Sequence, residues 1–173
     1  SFPRTWYYGL DGNPSGLQLD FVTVVMHELG HGLGFQTYVT LSSGARFNDR
    51  DDVYMKFLED HSLGLTWPNL TNAQRATSAT DDTDLHWTGS TVDAAATSAT
   101  AGRHAPGGHV QMYAPTSLAN GSSVSHWDTD LSPNELMEPS YTTDMTDPSL
   151  ARDLMSDMGW DFATTTSTST SSS

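Results

Sequence analysis

The stretch His27-Glu28-Leu29-Gly30-His31-Gly32-Leu33-Gly34-Phe35 decides how the rest of the sequence is interpreted. Histidines four residues apart lie on the same face of a helix, so His27 and His31 can bind one metal ion. Neutral imidazole is a good zinc ligand and leaves the ion able to act as a Lewis acid. Glu28 stands beside the metal, where its carboxylate can take a proton from a metal-activated water. The pattern therefore predicts a Zn2+ site with an adjacent general base.

The residues around this motif favour a buried helix. The preceding stretch 21–26 is apolar, Asp20 can cap the helix N-terminus, and Gly34 can end the helix because glycine adopts a left-handed conformation at little cost. A motif this short also arises by chance, and the alternative is a pair of core histidines. A glutamate buried there without a partner would be costly, which favours the metal site. We predict a helix from Asp20 to about Leu33.

The composition narrows the possible partners. The 173 residues suit one domain, and 7 basic against 21 acidic residues give a formal net charge of −14. Nucleic acid and anionic membrane surfaces are poor partners for such a chain. No stretch approaches the ~20 apolar residues of a membrane span, and no cysteine is present to form disulfides. No signal peptide is recognisable after Ser1, so we expect an exported protein to carry this sequence as a mature or excised chain.

Local patterns predict three further helices. Apolar residues at helical spacing predict a helix over 48–62 with His61 on its apolar face. A capping box at 71–74 predicts a short helix that continues to about Ala79. The last helix begins with Asp147 as its cap, has its apolar face at Leu150, Leu154, Met155 and Met158, and ends at Gly159. Short strands are predicted at 85–87 and 110–113, an exposed loop at 88–109, and a Thr/Ser-rich tail that buries nothing at 163–173.

A catalytic zinc site needs a third protein ligand and an open position. Thr37 comes three residues after Gly34, and a threonine hydroxyl would be a poor ligand there. Glu59, on the predicted helix over 48–62, is one candidate for the third ligand. The remaining histidines are the others: His61, His86, His104, His109 and His126.

Most of these histidines have a simpler interpretation. His61 fits a packed core histidine, and His86 beside Trp87 fits a structural role. His104 and His109 flank a loop that contains glycine and proline, where exposure is the default. The residues themselves leave the choice of third ligand open.

A family resemblance bears on that choice. The stretch 27–35 resembles the opening of the metzincin zinc-binding motif, and Ser125-His126-Trp127 followed by Met137 resembles the leishmanolysin branch of that family. In that branch an insertion precedes the third histidine, and a tight turn that carries a methionine lies beneath the metal. The resemblance implies that His27, His31 and His126 bind zinc. It also implies that Glu28 is the general base and that Met137 is the Met-turn residue.

The resemblance covers 20–36 and 123–141, extends to the final helix, and does not cover 64–109. Leishmanolysin-like enzymes are rich in disulfides and this chain has none, so it resembles a bacterial-type relative. Metzincins also place a twisted sheet before the zinc helix. Only 19 residues precede the helix here, so we expect most of that N-terminal sheet to be absent.

The implied fold is α+β and metzincin-like, with a zinc-binding active-site helix and a loop-rich lower subdomain that holds the Met-turn and the C-terminal helix. We expect one catalytic domain over 1–162, with an insertion at about 38–122. The resemblance also suggests that Tyr141 stabilises the oxyanion or a neighbouring group, although it follows Met137 at a different spacing from the family's tyrosine. Asp128 is a candidate to orient the ring of His126.

The function implied by the resemblance is zinc-dependent endopeptidase activity on protein or peptide substrates, by a secreted or cell-surface protein. Two alternatives stay open: a zinc hydrolase with Glu59 as third ligand, and a zinc-stabilised binding or surface module without turnover. A closed sphere of four protein ligands would favour the module, and an open coordination position would favour an enzyme.

Overall fold

A computed structural model of the chain describes residues 5–104 and 108–162, so the predicted tail at 163–173 lies outside the described residues. The described part is an α+β structure in which long irregular connections join short elements. The helices are α1 (Phe21–Gly32), α2 (Asn72–Ser78), α3 (Ser90–Ala95) and α4 (Ser149–Asp157). The strands are β1 (Trp6–Tyr7), β2 (Leu19–Asp20), β3 (Leu58–Asp60), β4 (Leu65–Thr66), β5 (Leu85–Trp87) and β6 (Val110–Gln111).

Helix α1 begins and ends where the sequence predicts. The buried carboxylate of Asp20 accepts hydrogen bonds from the backbone N–H of Thr23 at 2.8 Å and from its hydroxyl at 2.6 Å. At the other end Gly34 has φ +116°, and Phe35 N–H donates to the carbonyl of Gly30 at 3.0 Å. This closing pattern needs a left-handed residue, which glycine supplies at little cost. The prediction of a helix from Asp20 to about Leu33 is confirmed.

A four-stranded antiparallel sheet in the order β4-β3-β5-β6 forms the second part of the fold. The register pairs Leu58 with Trp87, and Glu59 with His86. Residues paired across antiparallel strands share a face, so Leu58 and Trp87 lie on the core side and His86 lies on the opposite side. The strands predicted at 85–87 and at the start of 110–113 are confirmed. Before α1, β1 and β2 form a short parallel pair.

The predicted helix over 48–62 is wrong. A 3-10 turn occupies Tyr54–Phe57, and the chain then extends into β3. Asn48 and Asp49 have positive φ values of 49° and 55°, which is incompatible with a regular helix start. The buried apolar residues at this spacing lie on a turn and a strand instead. Pairing of the strand with β5 determines this conformation. As a result Glu59 lies on a strand, and His61 is exposed rather than packed in the core.

The exposed loop predicted at 88–109 contains helix α3, so that prediction is also incorrect. Val92 is fully buried, and the carboxylate of Asp157 on α4 accepts hydrogen bonds from the N–H groups of Thr91 at 2.8 Å and Val92 at 3.3 Å. The same carboxylate accepts from Trp87 Nε1 at 3.1 Å. Small side chains let α3 approach α4 closely, and a distant residue supplies the N-terminal cap that the local sequence lacks.

The other two predicted helices are present. Thr71 and Gln74 form the capping box at the start of α2. Helix α4 buries Leu150, Leu154 and Met155, and Gly159 follows its end with φ +99°. The Asp147 carboxylate accepts a hydrogen bond from the Ser149 N–H at 2.9 Å, as the predicted cap requires. Glu135 adds a second cap from elsewhere in the chain, since it accepts hydrogen bonds from the Leu150 N–H at 3.3 Å and from the Ser149 hydroxyl at 3.2 Å.

Burial raises the pKa of Glu135 to about 7, although its hydrogen bonds from Leu150 and Ser149 act in the opposite direction. In the unfolded chain the pKa of the same carboxyl returns to its ordinary value of 4.5. Between these two values the folded state holds a proton that the unfolded state has released. Folding stability should therefore fall as pH rises through this interval and stay at the lower level above it.

We expect Glu135→Gln, which cannot ionise, to remove this part of the pH dependence. The free energy of unfolding of the variant, relative to that of the parent, should be larger at about pH 8 than at about pH 5. The reason is that an amide can keep both hydrogen bonds without a buried charge. Urea unfolding at the two pH values measures this, with chelator present so that metal binding does not contribute. An equal stability difference between variant and parent at both pH values would contradict the assignment.

Candidate metal centre

Three histidine side chains converge beside the second half of α1. The Nε2 atom of His126 lies 3.2 Å from Nε2 of His31 and 3.2 Å from Nε2 of His27. The imidazole rings of His27 and His31 project from one face of α1, and His126 approaches from a loop almost a hundred residues later in the chain. This group of three could hold a metal ion. The structure thus brings together the three residues that the resemblance implies as ligands.

The other ring nitrogen of each histidine contacts a backbone carbonyl. Nδ1 of His27 lies 2.8 Å from the carbonyl oxygen of Leu136, Nδ1 of His31 lies 3.0 Å from that of Phe35, and Nδ1 of His126 lies 2.8 Å from that of Ser122. A carbonyl oxygen only accepts, so Nδ1 carries the proton and donates it in all three rings. In neutral imidazole Nε2 then carries a lone pair. Lone pairs that face one another across the Nε2–Nε2 distances of 3.2 Å repel, and a cation between them removes the repulsion.

Burial favours the neutral form of the third ring. Burial lowers the pKa of His126 to about 4, and the neighbouring rings of His31 and His27 act in the same direction. The hydrogen bond to the carbonyl of Ser122 opposes these effects without cancelling them. An imidazole that stays neutral keeps its Nε2 lone pair for a metal ion, because protonation and metal binding compete for the same atom.

The structure does not support Asp128 as the group that orients His126. The Nδ1 atom of His126 donates to the carbonyl of Ser122 instead. The carboxylate of Asp128 accepts a hydrogen bond from the Asp130 N–H at 2.8 Å and so closes the turn that follows Trp127. A backbone carbonyl gives no signal in the sequence, so the sequence could not predict that the carbonyl of Ser122 is the partner of His126.

Met137 packs directly against α1 between the two histidines. A Cβ atom added at Gly30 would lie 2.6 Å from the Met137 sulfur, so only glycine fits at this position while the fully buried Met137 stays where it is. The carbonyl of Met137 accepts a hydrogen bond from the Trp127 N–H at 2.9 Å. The turn that carries Met137 is therefore linked on one side to His27, through Leu136, and on the other to the neighbour of His126.

An open cleft of about 190 Å³ lies along α1 next to this group. His27, Glu28, Leu136 and Tyr141 are among the residues that line it. Glu28 is exposed and its side chain reaches the cleft beside His27. The hydroxyl of Tyr141 accepts a hydrogen bond from the Asp20 N–H at 3.2 Å, which holds the phenol at the cleft wall. A carboxylate in this position can exchange a proton with a molecule bound in the cleft beside the three histidines.

The other positions considered for the third ligand lie elsewhere. The Thr37 hydroxyl donates to the carboxylate of Asp52 at 2.8 Å. Glu59 is on β3, where its carboxylate lies 3.8 Å from Nε2 of His109. The remaining three histidines form a second cluster on the sheet: His61, His86 and His104. The sequence did not predict this second cluster, because strand register rather than sequence spacing brings its members together.

Comparison of the chain with protein-family models, curated proteins and solved structures gave no significant match. Within the described residues, no helix is both long and apolar enough to cross a membrane.

We expect Gly30→Ala to lower the free energy of unfolding by about 1–2 kcal/mol, because overpacking against the Met137 sulfur, at about 1–3 kcal/mol, exceeds the gain in helix propensity of about 0.5–1 kcal/mol. The matched control is Gly32→Ala on the same helix, where an added Cβ has no neighbour within 4 Å. The control should be as stable as the parent or more stable. Urea unfolding compares the two variants, and equal stability of both would contradict close packing of Met137 on α1.

Proposed function

We propose that this chain is a zinc-dependent endopeptidase in which His27, His31 and His126 bind the zinc ion and Glu28 is the general base. The observation that carries the proposal is the convergence of three histidine Nε2 atoms beside an open cleft lined by an exposed glutamate. Three protein ligands and one open position are the arrangement of catalytic zinc sites, whereas structural sites are closed by four protein ligands.

The donor set favours zinc over the common hard cations. Calcium and magnesium bind oxygen ligands, and three neutral imidazoles suit zinc and its neighbours among the transition metals. A tetrahedral zinc ion with Zn–N bonds of about 2.0–2.1 Å separates its ligand nitrogens by about 3.3–3.4 Å. The Nε2 distances of 3.2 Å are close to this value. The three Nδ1–H groups that donate to carbonyls also match the outer hydrogen bonds of zinc-binding histidines.

Zinc bound to these residues would supply Lewis acidity, which activates water and polarises a peptide carbonyl. Glu28 accepts a proton from the attacking water, whose oxygen forms a bond to the carbonyl carbon of the scissile peptide. Glu28 then gives this proton to the leaving amine as the C–N bond breaks. Its place in the cleft beside His27 suits both transfers, because the water and the leaving amine would both lie in the cleft.

Tyr141 has a supporting role in this proposal. Its hydroxyl oxygen accepts from the Asp20 N–H, so the phenolic proton can be donated to a substrate oxygen at the cleft wall. Donation to the carbonyl oxygen that becomes negative would stabilise the transition state. We also propose that the chain is a metzincin of the leishmanolysin-like branch, with His126 as third histidine and Met137 in the Met-turn. A secreted or cell-surface location is part of the same proposal.

The test removes the base without removing a ligand. Glu28→Ala should keep its zinc and its fold and lose about 100-fold or more of peptide hydrolysis, measured with unfolded casein and quenched fluorescent peptides. The matched control is Glu59→Ala, which should keep both zinc and activity. A His27→Ala, His31→Ala double variant should lose about one equivalent of zinc.

Three outcomes would contradict the proposal. Turnover by Glu28→Ala at the parent rate would exclude Glu28 as the base. Loss of this zinc in Glu59→Ala would instead support the hydrolase with Glu59 as third ligand. A parent chain that holds zinc at His27, His31 and His126 but cleaves none of the substrates would favour the binding or surface module.

A further inference from the structure

A second group of three histidines lies on the side of the sheet opposite the core. His86 is on β5, His61 directly follows β3, and His104 precedes β6 in the chain. One ring nitrogen from each of the three lies within 4.8 Å of the others. The ring centroids of His61 and His104 are 3.7 Å apart, and that of His86 is 5.1 Å from His104 and 5.7 Å from His61.

Backbone contacts hold the three segments in this arrangement. The His61 N–H donates to the carbonyl of Asp84 at 2.8 Å, which ties the end of β3 to the start of β5. The His104 N–H donates to the carbonyl of His109 at 3.0 Å, and Arg103 pairs with Val110 across an isolated bridge. The cluster is therefore a product of sheet register and loop closure rather than of chance contacts between mobile side chains.

His86 is the member that calls for an explanation. Its side chain is fully buried, and neither ring nitrogen has a hydrogen bond of normal geometry. A buried polar atom without a partner costs about 1–3 kcal/mol. Burial and the neighbouring rings of His104 and His61 lower the pKa of His86 to about 4, opposed by a weak interaction with the backbone of Thr83. The ring is therefore neutral and has one nitrogen lone pair available for a metal ion.

We propose that His61, His86 and His104 bind a second divalent transition-metal ion, of the zinc class that imidazole prefers, and that this ion joins the ends of β3 and β5 to the segment before β6. The ion would give the buried His86 nitrogen a partner. It would also cross-link three distant segments of a chain that has no cysteine for disulfides. This site is independent of the proposed peptidase activity, because the two groups share no residue.

Zinc binding at the cluster would require only a small movement of the three imidazole rings. Zinc-bound nitrogens lie about 3.3–3.4 Å apart. The ligand atoms of the cluster lie within 4.8 Å of one another, so they would close by at most about 1.5 Å. His61 is exposed and can move by that amount without repacking the core.

The test counts metal in chains equilibrated against a buffer that holds free zinc in the nanomolar range. The parent should bind about two zinc ions, and a His61→Ala, His104→Ala variant should bind about one. His86 is left unchanged, because replacing a buried side chain could disturb the fold. His109→Ala is the matched control, since this neighbouring histidine contacts Asp93 through Nδ1 at 2.8 Å and does not belong to the cluster. It should retain about two ions.

A second measurement does not depend on how the cluster variant folds. The His27→Ala, His31→Ala variant should still bind about one zinc ion, and added zinc should raise its Tm. Absence of zinc from that variant would overturn the proposal. Retention of both ions by the His61→Ala, His104→Ala variant would overturn it equally. Failure of the peptidase assays would leave both metal counts unchanged, so the two proposals can fail separately.

Discussion

Three hydrogen bonds from histidine Nδ1 atoms to backbone carbonyls are the constraint on which the candidate metal centre depends. They fix the tautomer of His27, His31 and His126 and turn all three Nε2 lone pairs toward one point. The accepting carbonyls come from different places: the end of α1, the turn before Met137, and the loop before His126. Each local conformation must therefore be correct for the three nitrogens to converge.

The rest of the fold holds these carbonyls in position. Gly34 ends α1 so that the chain turns back and presents the Phe35 carbonyl to His31. Met137 fills the space against Gly30, and its own carbonyl is bonded to Trp127. The same turn carries Glu135, which caps α4, so the C-terminal helix is linked to the turn that packs against α1. Packing, capping and metal geometry are thus coupled through one short segment.

The sequence predicted the features that depend on neighbouring residues. Asp20, the apolar stretch 21–26 and Gly34 are local signals, and they placed α1 correctly. The helix over 48–62 failed because pairing with β5 overrode an apolar spacing that fits both conformations. Helix α3 was missed because its cap, Asp157, lies on a distant helix. The His61–His86–His104 cluster has no sequence signal either, since strand register creates it.

Zinc-edge anomalous diffraction from crystals of the chain grown with zinc can locate an ion bound by the Nε2 atoms of His27, His31 and His126. We predict an anomalous peak about 2.0–2.1 Å from all three Nε2 atoms, with no fourth protein ligand. A well-ordered site without a peak, or a peak that lacks His126 and includes another side chain such as Glu59, would show that these three histidines do not form the zinc site.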